Sequence, residues 1–90
     1  MTSVYSIRFL KHASKELGKL DKHTAQRIVG RLNWLSSNIR SSKVFPLKGE
    51  LSGLFKVREG SYRIIFEMIH SEQTVIIHSI GHRKDIYKQM

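Results

Sequence analysis

An α+β fold in a single domain, residues 1–90, is what this sequence predicts: an N-terminal strand and an antiparallel two-helix hairpin packed on an antiparallel β-sheet meander, closed by a short C-terminal helix or tail. Three observations carry that expectation. Apolar residues recur at helical spacing from Leu10 to Leu35. Runs rich in Val, Ile, Phe and Tyr, broken by turn residues, follow from Leu54 to Ile80. At 90 residues the chain has length for one domain, burying roughly 60–65% of the surface it exposes when unfolded.

The elements follow in chain order. Val4-Tyr5-Ser6-Ile7-Arg8-Phe9 carries apolar residues at roughly alternating positions and reads as the first strand. Leu10, Ala13, Leu17 and Leu20 then repeat at helical spacing, and Gly18 with Asp21 marks a joint. Asp21 is placed to cap a second helix with the stripe Ala25, Ile28, Val29, Leu32 and Leu35, which the cluster Ser36-Ser37-Asn38 ends. Residues from Phe45 to Leu51 hold the only Pro, so this segment is a loop or a short edge strand. Leu54 to Glu59, Tyr62 to Ile69 and Thr74 to Ile80 are three strands, joined by Gly60-Ser61 and by His70-Ser71-Glu72-Gln73. Beyond Gly81 the chain turns basic, and Lys84 to Met90 is either a short helix or a tail. The expected core is Leu17, Leu20, Ile28, Leu32, Val57, Ile64, Phe66, Val75 and Ile77.

Charge gives the first indication of a partner. Sixteen Lys and Arg stand against seven Asp and Glu, a formal net charge of +9, and so small a surface with that excess attracts polyanions. Nucleic acid or an acidic protein is the expected partner; the plainer alternative is a small basic domain that meets RNA only incidentally. The apolar runs fall far short of the roughly 20 residues of a membrane span, so no membrane partner is expected. Met1-Thr2-Ser3-Val4-Tyr5 has neither the basic nor the apolar region of a leader, which makes a cytoplasmic protein the default.

Several chemistries fall away on residue type. Without Cys there is no disulfide, no zinc-thiolate site and no thiol nucleophile. His12, His23, His70, His78 and His82 are scattered, with no close pair on a helix face to hold zinc. The few carboxylates stand beside basic residues or in polar runs, where solvation or an ion pair explains them. No phosphate-binding glycine loop and no nucleophile elbow occurs. Trp34, at the edge of the helix stripe, reads as a packing residue rather than a base-stacking one. No cofactor and no metal is expected.

A two-residue turn at Gly60-Ser61 fixes a register: Glu59 faces Tyr62, Arg58 faces Arg63, Val57 faces Ile64, Lys56 faces Ile65 and Phe55 faces Phe66. Phe55, Val57, Ile64 and Phe66 then form an apolar face for the helices, and Lys56, Arg58 and Arg63 point the other way. Like charges directly opposite destabilise a sheet by on the order of 0.2–1 kcal/mol, so stability alone does not choose Arg58 against Arg63. The alternative is that the two side chains splay into water, or that Glu59 or Glu67 neutralises them, at little cost. The last strand returns toward the same turn, so Arg83 and Tyr87 approach Arg58 and Arg63. Converging guanidinium groups bind phosphate, and RNA brings its own nucleophile in the 2′-hydroxyl. His82 is the candidate proton-transfer group of this cluster, because histidine changes charge near neutral pH; a solvated loop histidine is the alternative.

With these residues in view, the chain resembles the RelE/ParE superfamily of bacterial toxins. The likeness spans nearly all of it, through Lys19-Leu20-Asp21, Leu47-Lys48-Gly49, Leu54-Phe55-Lys56-Val57-Arg58, Gly60-Ser61-Tyr62-Arg63 and the closing Gly81-His82-Arg83-Lys84-Asp85-Ile86-Tyr87. The resemblance implies a RelE-like fold and a toxin of a type II toxin–antitoxin system. RelE-type members cleave messenger RNA in the ribosomal A site, and ParE-type members poison DNA gyrase. Matched by position, Lys56 and Arg58 fall on a strand-two Lys pair, Arg63 on a strand-three Arg, Arg83 on the Arg after the last strand, and Tyr87 on a C-terminal Tyr. The implied activity is a metal-independent, ribosome-dependent endoribonuclease leaving a 2′,3′-cyclic phosphate or 3′-phosphate. In it Arg63, Arg83, Tyr87 and His82 are catalytic, and Lys56, Arg58, Lys84 and Lys48 bind RNA. Implied partners are messenger RNA in the ribosomal A site and a cognate antitoxin in a hetero-oligomer. The chain departs from the pattern twice: Arg58 replaces a Lys, and an Arg stays protonated and is a poor base; His82 stands where Lys is frequent.

Overall fold

A computed structural model of the chain describes residues 4–39 and 44–84. Strand β1 (Ser6–Phe9) leads into helices α1 (Lys11–Gly18) and α2 (Lys22–Ser37); β2 (Phe45–Pro46), β3 (Phe55–Glu59), β4 (Tyr62–Ile69) and β5 (Thr74–His82) follow. The expected α+β architecture is present; of the expected helix or tail over Lys84 to Met90, Lys84 stands in a turn and the rest lies outside the described residues. No helix among the described residues is long and apolar enough to cross a membrane.

Local chemistry explains where the helices begin and end. Asp21 caps α2 by accepting from the Thr24 backbone N–H at 3.1 Å and from the Thr24 hydroxyl at 2.7 Å. These bonds, the hydroxyl first, hold its carboxyl below the ordinary aspartate range. At the other end the Ser36 hydroxyl donates to the Asn33 carbonyl, and the Asn38 side chain donates to that of Trp34. Each helix leans on the sheet rather than on its neighbour: α1 lies chiefly against β5, and α2 touches β1 and β3.

The sheet order is β1-β5-β4-β3-β2. From β2 to β5 the strands form the expected antiparallel meander, in the register read from the Gly60-Ser61 turn. Gly60 has φ +60° and Ser61 is not left-handed, as in a type II′ hairpin turn. The sheet as a whole is mixed, because β1 pairs parallel with β5. The physical reason is the crossover: the helices carry the chain from one edge to the other, and the meander brings it back beside its start. The segment after α2 resolves into a two-residue edge strand holding Pro46 and a 3₁₀ turn at Gly49–Leu51.

The core lies between the helices and one face of the sheet. Tyr5, Ala13, Ile28, Leu32, Leu35, Ile39, Val57, Ile64, Phe66, Val75, Ile77 and Ile80 form one buried cluster. Leu17 and Leu20, expected inside, are only half-buried at its margin, and Val29 of the expected stripe is exposed. Ile28, Leu32 and Leu35 occupy the inward stripe of α2, and Val29, one residue or ~100° around from Ile28, faces out.

An irregularity in β5 changes which residues face the core. Ile65 pairs with Ser79 and Phe66 with Ile77, so His78 is an extra residue, a β-bulge. Two successive residues, His78 and Ser79, therefore stand on the outer face, and Ile77 and Ile80, three apart, both turn inward. The outer face is not wholly polar: Ile65, opposite Lys56 and outside the core cluster, is 0% exposed.

Candidate functional site

The β3–β4 hairpin and the end of β5 hold the basic residues. Arg58 stands opposite Arg63, and Arg63 is opposite Gly81 on β5. The Arg63 guanidinium is half-buried and folds back on the turn, Nη1 donating to the Tyr62 carbonyl at 3.1 Å and to that of Gly60 at 3.4 Å. Arg58 is exposed and lies over the Phe45 ring, 5.7 Å from its centroid. Lys56, one outward position back along β3, is half-buried between Phe45 and Ile65. The Arg83 N–H donates to the Ser61 carbonyl at 2.8 Å, which fixes this exposed residue beside the hairpin turn, and Lys84 follows it. Lys56, Arg58 and Arg63 thus share the outer face, and the backbone of Arg83 is held at the hairpin turn beside them.

Two of the expected residues are not part of that corner. His82 pairs with Tyr62, and their rings meet edge to face at 5.8 Å. Tyr62 packs against the helix-side core, so His82 faces the helix side of the sheet and Arg63 the opposite side. Strand alternation causes this, since Gly81 is opposite Arg63 and its successor must point the other way. His82 Nδ1 accepts from the Lys84 backbone N–H at 3.2 Å and closes the turn that carries Arg83. Lys48 lies in the β2–β3 connection, at the end of β3 remote from Gly60-Ser61. Tyr87 lies outside the described residues.

Sequence reading did not single out two side chains that meet on the outer face. His78 Nε2 lies 3.0 Å from Glu67 Oε1. Glu67 is on that face by alternation with Phe66 and Met68, both of which pack on the helix side. His78 reaches it only because of the bulge, for which the sequence carries no signal. Arg8, exposed and opposite Ile76 on β5, is on the same face. On the helix side, Glu59 is taken by Arg27 at 3.0 Å. The expected packing role of Trp34 meets a ring that is 44% exposed beneath the Arg31 guanidinium, 4.9 Å from its centroid.

A small mixed sheet backed by two helices on one face, with arginines clustered at a hairpin on the other, defines a basic α+β domain suited to anionic partners. Residues 7–87 match the family described as ParE toxin of type II toxin-antitoxin system, parDE. A relative, Toxin RelG of Mycobacterium tuberculosis, is 34% identical over 89 residues, covering 94% of this chain and 98% of that protein. Among solved structures, the toxin–antitoxin complex RelBE2 of Mycobacterium tuberculosis matches with a TM-score of 0.81 at 31% identity, over 94% of this chain and 98% of that one. The intact Escherichia coli RelBE toxin–antitoxin complex matches with a TM-score of 0.69 at 26% identity, over 87% and 95%. The chain belongs to the RelE/ParE family of type II toxin–antitoxin toxins.

Proposed function

We propose that this toxin is a ribosome-dependent endoribonuclease that cuts messenger RNA in the ribosomal A site. The observation that carries the reading is Arg58 paired across strands with Arg63 on the outer face, with Arg83 tied to the adjacent turn. Such a pair is unfavourable by itself and becomes favourable when a phosphate lies across it. In this reading the 2′-hydroxyl attacks the neighbouring phosphorus, and Arg63 and Arg83 stabilise the charge that builds on the phosphoryl oxygens. Lys56, Arg58 and Lys84 hold the RNA backbone, and Tyr87 stacks on or activates the cut nucleotide. His82 acts through the turn it closes, setting Arg83 and Lys84 in place. Lys48 belongs to RNA held away from the cut.

Both similar structures described above are toxin–antitoxin complexes, and we extend that arrangement to this chain: a cognate antitoxin silences it in a cytoplasmic hetero-oligomer. A net charge of +9 favours an acidic partner. The test is cleavage of messenger RNA on translating ribosomes by Arg63→Ala and Arg83→Ala. Both are expected to fold, and each to lose about 10²-fold or more in rate; wild-type cutting by both folded variants refutes the site. The family description names ParE, which favours a second reading as a gyrase poison. In that case the protein inhibits supercoiling and leaves transcripts intact.

A further inference from the structure

The cleavage proposed above needs a group to take the 2′-hydroxyl proton, and the arginines of the basic corner are not suited to it. Arg58, Arg63 and Arg83 stay protonated. His82 faces the helix side, and its Nδ1 lone pair is already committed to the Lys84 N–H. The geometry points to His78, oriented by Glu67, as the proton acceptor of the outer face.

Five observations support this assignment, which rests on the nuclease reading. The β5 bulge turns His78 onto the face that carries Lys56, Arg58 and Arg63. Glu67 Oε1 lies 3.0 Å from His78 Nε2, and a ring that donates Nε2–H to it in the neutral form presents Nδ1 free of hydrogen. Among the described residues Glu67 is the only carboxylate on the outer side of β1, β3, β4 and β5, and it is spent on this histidine. The His78 side chain keeps 27% of its surface accessible, enough to meet a substrate. Next to it on β5, Ser79 pairs with Ile65, which pairs with Lys56, so His78 and Lys56 lie about 10 Å apart across two strand spacings.

The chemical step balances as follows. The 2′-oxygen bonds to phosphorus as its proton passes to His78 Nδ1, the P–O5′ bond breaks, and the departing 5′-oxygen takes a proton from water. The products are a 2′,3′-cyclic phosphate and a 5′-hydroxyl, and the imidazolium returns its proton to solvent. Among the described residues, the charged groups on the same face as His78 are Glu67 from β4, Lys56 from β3 and, beyond Ile76, Arg8 from β1.

The test measures kcat and KM against pH for messenger RNA cleavage on translating ribosomes, with wild type, His78→Gln, Glu67→Gln and the exposed helical control His23→Gln. Wild type is expected to speed up as rising pH frees its proton acceptor. His78→Gln is expected to lose about 100-fold in kcat, keep KM within about threefold and lose that rise. Glu67→Gln is expected to lose about tenfold and retain the rise, and His23→Gln to match wild type. A folded His78→Gln with wild-type kcat, or with the acid limb intact, overturns the assignment. Should His78→Gln not fold, Glu67→Gln decides, and unchanged kcat there overturns it. No cutting by wild type overturns the nuclease reading itself, an outcome distinct from equal cutting by wild type and His78→Gln.

Discussion

Arg63 shows how backbone and function are joined at one residue. Its guanidinium braces the hairpin through the Tyr62 and Gly60 carbonyls, yet it is only half-buried and has Gly81 at its flank. An Arg63→Lys variant keeps the charge and loses the planar fork. Weakened binding of single-stranded RNA is the expected result, with thermal stability little changed, as a melt beside a binding isotherm will show. Asp21 offers a second prediction at this scale. Thr24 holds its carboxyl below the ordinary aspartate range, so ionised Asp21 stabilises the folded state. That stabilisation is complete above the ordinary aspartate value and disappears as pH falls through the lowered one. Asp21→Ala should therefore lower Tm at pH 7, and the gap from wild type should narrow as the pH drops through the carboxylate range. Asp21→Asn, a capping residue without charge, should lie between them.

Among the elements, the β3–β4 hairpin is fully legible in the sequence and β5 is not. A Gly-Ser turn between alternating strands fixes a register without further information, and Arg58 does face Arg63. The bulge at His78 leaves no such mark, so neither the burial of Ile80 in the core nor the place of His78 on the outer face follows from the sequence. The same cause hides the side taken by His82, which depends on the strand alternation around Gly81. Parallel pairing of β1 is also hidden, because it arises from the crossover and not from any local pattern. On α2 the stripe reads one residue too wide at Val29, since spacing alone does not say how broad a face the sheet covers. Two stability predictions belong here. Leu32, 2% exposed, should cost about 2–5 kcal/mol when cut to Ala, read by denaturant unfolding. Gly60→Ala should cost about 1–2 kcal/mol in the same assay, because φ is +60° and the new methyl would stand 3.1 Å from Arg27 Nη2.

For the whole molecule, the layers divide the labour. One sheet face is spent on the core with the helices, where Glu59 is neutralised by Arg27. Among the described residues, the other face carries Arg8, Lys56, Arg58 and Arg63 against Glu67. RNA affinity should therefore fall steeply with salt, each phosphate contact adding about 0.7 to the slope of log K against log salt for a single strand. Arg58→Ala and Lys56→Ala should each flatten that slope by about one such contact. Loss of affinity without a change of slope would mean that these side chains do not meet phosphate. The measurement that tests the central claim most directly is to produce the protein alone in a growing bacterium and map new 5′ ends on its messenger RNAs, beside Arg63→Ala. Growth arrest with cuts phased to codons, absent in Arg63→Ala, is the predicted result; arrest with intact transcripts contradicts the nuclease and shifts the target to gyrase.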